Sequence, residues 1–303
     1  MNKLILLPVA IFVAASALSS CSSCQNEEKE GQKVKETITS GVIDISCDKS
    51  FEPIMEQEIM VFEAAYPKAS IIPYYVSESE ALNMLLQDSV RLAIATRPLS
   101  PKEEDSFKSR RLKVRTVQIA LDGIAFIVNK SNKNDIISVD DLRKIVTGEV
   151  TKWNQIYPGS TLGDLHFVFD NQGSSSMRYA IDSLCEGKTL YKGLFAQKSN
   201  QAVIDYVAQT PNAIGVIGAS WIGNKADSTN TSFTDVVKVM AVRKAPGFKP
   251  YKPYQYYIAS GDYPLTRPIY MITTDPRNGL PTGFIKFVSS QRGQLIIFKT
   301  GIV

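Results

Sequence analysis

Short apolar runs separated by segments of helical period constrain this chain more than any single residue does. Residues 42–46, carrying Val42, Ile43 and Ile45, read as a strand, as do 69–75 and 91–95. Between the first two, Met55, Ile59, Phe62 and Tyr66 recur at helical spacing and predict a helix over 52–66 that Pro67 ends. A second helix is expected over 79–87. Ser100-Pro101-Lys102-Glu103 is a capping box with proline at the first helical position, and it opens a third. This strand–helix alternation argues for an α/β fold with a parallel sheet covered on both faces. Ligands of such sheets lie beyond the carboxyl ends of the strands.

The alternation resumes downstream. Residues 124–128 form a strong apolar run, Ser138 caps a helix with Val139, Leu142 and Ile145 on one face, and 199–208 reads as a helix. Residues 213–217, 236–242 and 270–273 read as strands, and 283–290 as a last helix. One junction stands out. The apolar run 165–169 is followed by Asp170-Asn171-Gln172-Gly173-Ser174-Ser175-Ser176-Met177-Arg178, then by a helical segment over 179–184. A strand that turns through glycine and three hydroxyls into a helix offers unpaired amides, a positive dipole end and hydroxyl donors to an oxyanion. The plainer alternative is an ordinary serine N-cap.

The N-terminus speaks to compartment. Asn2-Lys3 precedes an apolar run from Leu4 to Leu18, and Leu18-Ser19-Ser20-Cys21 follows. This looks like a bacterial lipoprotein signal, too short for a comfortable membrane span. Residues 1–20 are expected to be removed and Cys21 to carry lipid, palmitate included. Residues 21–40 hold Glu27, Glu28, Lys29 and Glu30 with little apolar content, and read as a solvated tether. The expected location is the periplasm or cell envelope, anchored by lipid to a bacterial membrane.

Composition closes other doors. Thirty-four basic and 30 acidic residues give a net charge of +4, too mild to argue for nucleic acid. The single histidine, His166, rules out a multi-histidine metal site and reads as structural. Cys47 and Cys185 fit no zinc spacing and read as buried free thiols, although a disulfide is allowed outside the cytoplasm. No cofactor or metal is expected.

Four local signatures together resemble one family. They are Asp122-Gly123-Ile124-Ala125-Phe126-Ile127-Val128-Asn129; residues 142–154 with Thr147-Gly148-Glu149-Val150-Thr151-Lys152-Trp153-Asn154; Asn212-Ala213-Ile214-Gly215-Val216-Ile217-Gly218; and Tyr263-Pro264-Leu265-Thr266-Arg267-Pro268-Ile269-Tyr270 with Gly293-Gln294 and the Gly301-Ile302-Val303 end. In this order they are similar to the phosphate-binding lipoproteins of the bacterial ABC phosphate importer. The resemblance implies a two-lobed, type II periplasmic-binding-protein fold. Each lobe would be a mixed, mostly parallel sheet flanked by helices, with two crossing strands as hinge. Lobe 1 would comprise 41–122 and 262–303, and lobe 2 would comprise 123–261. It further implies inorganic phosphate as ligand, inner-membrane permease subunits as partner, a monomeric receptor and no enzymatic activity.

Carried over position by position, the resemblance nominates Ser50 and Phe51 after the first strand and Ser77 (or Ser79) after the second. It adds Thr96 and Arg97 after the third, and Asp170, Gly173, Ser174, Ser175 and Ser176 in the second lobe. Two positions depart from the family. Its acid after the third strand is replaced by Arg97, and its arginine at the head of the glycine–serine loop by Asp170. The pair reads as a swap, in which Arg97 binds the oxyanion and Asp170 pairs with Arg97 and accepts a P–OH proton. The alternatives are a turn-capping Asp170 and a surface Arg97. Arg178 is a weaker candidate whose side chain is expected toward solvent, and Glu78 reads as a solvated loop acid. Trp153 and Trp221 are assigned to the core of the second lobe, and 251–257 to strand and packing. Another oxyanion (sulfate, molybdate or tungstate) is the second reading. A phosphatase or serine hydrolase is the third, opposed by the absence of a Gly-x-Ser-x-Gly elbow.

Overall fold

The computed structural model describes residues 35–223 and 233–303. The expected signal segment, Cys21 and residues 21–34 of the expected tether lie outside the described residues.

The first part of the chain runs β1 (Ser40–Asp48), α1 (Glu52–Ala65), β2 (Lys68–Val76), α2 (Glu78–Leu86), β3 (Leu92–Ala95) and α3 (Pro101–Ser109). A 14-residue strand, β4 (Arg115–Val128), follows. Then come β5 (Ile136–Ser138), α4 (Val139–Val146), β6 (His166–Phe169), α5 (Ser175–Tyr179), β7 (Phe195–Ala196), α6 (Asn200–Gln209) and β8 (Ala213–Gly218). The chain ends with β9 (Lys238–Val239), β10 (Ala241–Arg243), α7 (Gln255–Ala259), β11 (Thr266–Thr273), α8 (Leu280–Val288) and α9 (Gln291–Lys299).

Nine strands form one mixed sheet, ordered β2-β1-β3-β11-β4-β8-β6-β7 with β9 also on β4. Parallel pairs lie at both ends, β2-β1-β3 on one side and β8-β6-β7 on the other. The middle is antiparallel, because β11 runs against both β3 and β4, and β4 against β8. Strand β4 belongs to both halves. Residues up to Gly123 pair with β11, and residues from Ile124 pair with β8.

Period-two alternation distributes the core. On β3, Leu92 and Ile94 pack with α1 and α8, while Ala93 and Ala95 face Leu82 and Leu85 of α2 and Phe107 of α3. On β8, Ile214 and Val216 join the main cluster, while Ala213 and Ile217 meet Val203 and Val207 of α6. The expected capping box forms at Ser100–Glu103, and the Ser138 cap proves to be part of a second box with Asp141.

Several expectations need correcting. The strand expected over 236–242 is two short strands with different partners, β9 on β4 and β10 on β5. Helix α9 is unanticipated because Gly293 lies inside it. The helices α8 and α9 approach so closely there that a Cβ on Gly293 would sit 2.4 Å from the Val288 carbonyl oxygen. The tether does not extend to residue 40. Glu36 accepts from Arg91 Nη2 at 2.9 Å and from the Leu280 amide at 3.2 Å, which pins the chain before β1 begins. Cys47 and Cys185 are both buried free thiols. No helix among the described residues is long and apolar enough to cross a membrane, and no cluster of metal-ligating side chains is found there.

Candidate functional site

The carboxyl ends of β1, β3 and β6 and the start of β8's following turn converge on one buried polar cluster. Its floor comes from the end of β1. Asp48 caps a 3-10 turn, with Oδ1 accepting from the Ser50 amide at 3.0 Å. Ser50 and Phe51 are fully buried. Facing them, Ser174 caps α5 by accepting from the Met177 amide at 3.2 Å. Ser175 and Ser176 are thereby held inside, and α5 continues into a wider π-type turn over Ala180–Leu184. The hydroxyls of Ser50 and Ser175 lie 3.4 Å apart, although 125 residues separate them.

Between them stands Arg267, 1% exposed. Nη1 donates to Ser175 Oγ at 2.5 Å and to Ser176 Oγ at 3.5 Å. Nε and Nη2 hold Asp122 Oδ2 at 3.0 and 2.9 Å, and the guanidinium carbon lies 5.1 Å from the centre of the Phe51 ring. Asp122 Oδ1 accepts from the Ala219 amide at 3.1 Å. Phe51 thus supplies the aromatic face on which a buried cation is placed.

A second charged group closes the mouth. Arg178 reaches across to Glu78 (Nε to Oε2, 2.5 Å) and to Thr96 Oγ1 (2.5 Å), and also holds Asp182 on its own helix. Glu78 Oε1 accepts from the Thr96 amide and hydroxyl, each at 2.6 Å. Nearby, Ser77 caps α2, and the Ser79 amide and hydroxyl lie 3.4 Å from the Gly173 carbonyl oxygen. Glycine suits this approach, since a Cβ on Gly173 would come within 2.6 Å of Ser79 Oγ and force that hydroxyl to move. A 250 Å³ cavity lined in part by Glu78, Arg97, Gln172, Gly173 and Arg178 opens beside the contact. Behind it, Trp221 Nε1 donates 2.7 Å to the Ser50 carbonyl.

Burial sets the titration of the acids. It pushes Asp48 up to about 6, against the pull of Arg267. It also raises Asp170 and Asp122, opposed by Ser174 in the first case and by Arg267 in the second. Glu78 goes the other way, because its bonds from Arg178 and Thr96 outweigh its burial.

The proposed Arg97–Asp170 pairing is not formed. Arg97 turns back on its own loop and grips Glu103 with two bonds of 2.8 and 2.9 Å. A carboxylate six residues away, already fixed by the capping box, is a nearer partner than one across the site. Asp170 is 1% exposed and receives Asn200 Nδ2 at 3.4 Å. Thr96 sits at the site, but its amide and hydroxyl hydrogens are spent on Glu78. Two further expectations are overturned. Arg178 does not face solvent alone, and Glu78 is 2% exposed and ion-paired. Trp221 is half-buried and packs against the second-lobe cluster while its indole reaches Ser50, whereas Trp153 is fully buried with Nε1 on the Asn212 carbonyl. His166 bonds Tyr206 and lies against Phe195, as a structural residue would. Asp48, Asp122, Asn200 and Arg267 carry no assignment from the sequence. Only Arg267 and Asp122 had a signal, since both lie inside the family-like signatures.

The fold and this site define a class. The model of the PBP superfamily domain matches residues 30–292, and the chain belongs to that superfamily. Among its relatives is the phosphate-binding protein PstS of Borreliella burgdorferi, 24% identical over 311 residues, covering 100% of this chain and 99% of that one. The PstS of Bacillus subtilis is 24% identical over 294 residues, covering 96% and 89%. In solved structures the fold recurs in a putative phosphate ABC transporter substrate-binding protein with bound phosphate from Clostridium perfringens. That match has a TM-score of 0.72 and 22% identity, covering 87% of this chain and 99% of that one. An ABC-type phosphate transport receptor from Vibrio cholerae aligns with a TM-score of 0.66 and 21% identity, over 87% and 99%.

Proposed function

We propose that the protein is a receptor for inorganic phosphate that closes on its ligand and delivers it to the permease of an ABC importer. The observation that carries this reading is the convergence of Ser50, Ser175, Ser176 and Arg267 on one buried point. Hydroxyls and a guanidinium in a water-poor site bind an oxyanion through charge-assisted hydrogen bonds. The names of the relatives, phosphate-binding proteins across most of their length, support the same ligand. Residues 41–122 with 262–303 are proposed as one moving body and 123–261 as the other. The exchange of β4 partners at Gly123 and Ile124 supports a hinge there.

The chemistry needed is binding alone. His166 is engaged by Tyr206 and supplies no base to the serines, so transport by a separate ATPase fits better than turnover. We place the protein in the cell envelope as a monomer, held to the membrane by lipid on Cys21, on the strength of Leu18-Ser19-Ser20-Cys21. Calorimetry with phosphate and with sulfate tests the central claim. Phosphate should bind with a Kd of about micromolar or tighter, with sulfate far weaker. Equal binding of both anions would favour a general oxyanion receptor, and no phosphate binding would overturn the reading.

A further inference from the structure

Four carboxylates border the site, and they are not equivalent. Glu78 has both oxygens filled, by Thr96 and by Arg178. Asp122 has both filled, by the Ala219 amide and by Arg267. The remaining two each keep one buried oxygen with no donor in full hydrogen-bonding geometry among the described residues, Oδ2 of Asp48 and Oδ1 of Asp170, although the Ser175 and Ser174 hydroxyls lie near enough to these acids to oppose their upward shift. They come from opposite sides, one at the end of β1 and one after β6, and are 0% and 1% exposed. Their other oxygens are occupied by the Ser50 amide and by Asn200.

A buried acceptor without a donor is costly, and more so when charged. An anion placed against two such carboxylates adds repulsion unless it brings hydrogens. The charge count points the same way. Two guanidiniums (Arg178, Arg267) stand against four carboxylates, which leaves two negative charges before any ligand enters. Such a site favours the ligand form with the least charge and the most hydroxyl hydrogens.

We infer that the cleft takes phosphate as the singly charged ion with two P–OH groups, one donated to Asp48 Oδ2 and the other to Asp170 Oδ1. The two remaining oxygens face Ser50, Ser175, Ser176 and Arg267. This rests on the phosphate reading above and assigns the proton acceptor to a pair, not to Asp170 alone. Charged and titratable neighbours act on the pair from every side. Cys47 lies beside Asp48 on β1, Glu78 faces it from α2, and Arg267 faces both acids from β11. Asp122 on β4 and Arg178 on α5 neutralise part of that set. Burial raises both acids, in keeping with a proton shared between carboxylate and ligand.

The consequence is a proton bound with the ligand. Above phosphate's second ionisation the free ion has one hydroxyl, so binding must take up one more proton from solvent. Affinity for total phosphate then falls about tenfold per pH unit on that side. The test is calorimetry of the full chain in detergent with inorganic phosphate, at about pH 7.5 and about pH 8.5, in two buffers of different ionisation heat. Expected is uptake of about one proton per phosphate and a roughly tenfold loss of affinity between the two conditions. Asp48→Asn should abolish most of that uptake and narrow the preference for phosphate over sulfate by at least about tenfold. Phosphate binding by the wild type with no proton uptake and a flat or rising affinity overturns the inference but leaves the receptor reading intact. No phosphate binding at either pH overturns the receptor reading itself.

Discussion

Two arginine–glutamate pairs sit at the mouth of the site, and they do different work. Arg97 and Glu103 are six residues apart, on one loop and its helix cap, with side chains 30% and 22% exposed. Arg178 and Glu78 are 100 residues apart, and the glutamate is almost wholly buried. The first pair forms whichever way the two parts of the chain are arranged. The second forms only when α2 and α5 are brought together. On the proposed division into two moving bodies, a charged pair reports on closure when its partners belong to different bodies, however similar the chemistry. A local partner captures an arginine first, which is why Arg97 never reaches Asp170.

The sharpest way to test this contrast is to remove the cation that crosses most deeply. Arg267→Ala strands Asp122 in the interior. It should cost about 3–5 kcal/mol of stability by chemical denaturation and eliminate measurable phosphate binding. A variant with stability near wild type would show that the buried pair is dispensable. Next comes the crossing pair at the mouth. Glu78→Ala or Arg178→Ala should weaken phosphate binding by about 10–100-fold, or about 1.4–3 kcal/mol, and lower the denaturation midpoint by less than Arg267→Ala does, because Glu78 keeps its bonds from Thr96 when Arg178 is removed. Gly173→Val, which crowds Ser79 across the same seam, should weaken binding by about tenfold, read in the same titrations.

The smallest effect belongs to the local pair. Arg97→Ala should change phosphate affinity by less than about threefold and stability by less than about 1 kcal/mol. Its pH dependence has a definite sign. Glu103 is lowered from 4.5 to about 2, chiefly by Arg97, so the pair's contribution is complete above the higher value and is lost as pH falls toward the lower. Melting curves of wild type and Arg97→Ala should therefore converge on acidification. If Arg97→Ala instead matched Arg178→Ala in lost affinity, the contrast would collapse and Arg97 would be a ligand contact.

Legibility in the sequence followed the same divide. Features closed within a few residues were readable: the Ser100–Glu103 capping box, the Ser138 cap, the buried strand around Gly215, and the glycine–serine turn that aims Ser175 and Ser176 inward. Features that depend on tertiary approach were not. Asp48 lies two residues from Ser50, yet only the neighbourhood of Arg267, far along the chain, makes it part of the site. Arg178 could be placed on its helix but not aimed, because its direction is set by Glu78. The first half of β4 carried only a weak alternation. Its pairing with β11 joins residues more than 140 positions apart.

The hydrogen bond from Trp221 to the Ser50 carbonyl has one more consequence. The chain has two tryptophans, and Trp153 is sealed in the core with its indole nitrogen on Asn212. Trp221 alone bridges the seam. Its indole dipole should therefore experience a changed local field and solvent access whenever the seam parts. The protein thus carries an intrinsic optical probe of its own occupancy: emission that shifts with phosphate should survive Trp153→Phe and vanish in Trp221→Phe.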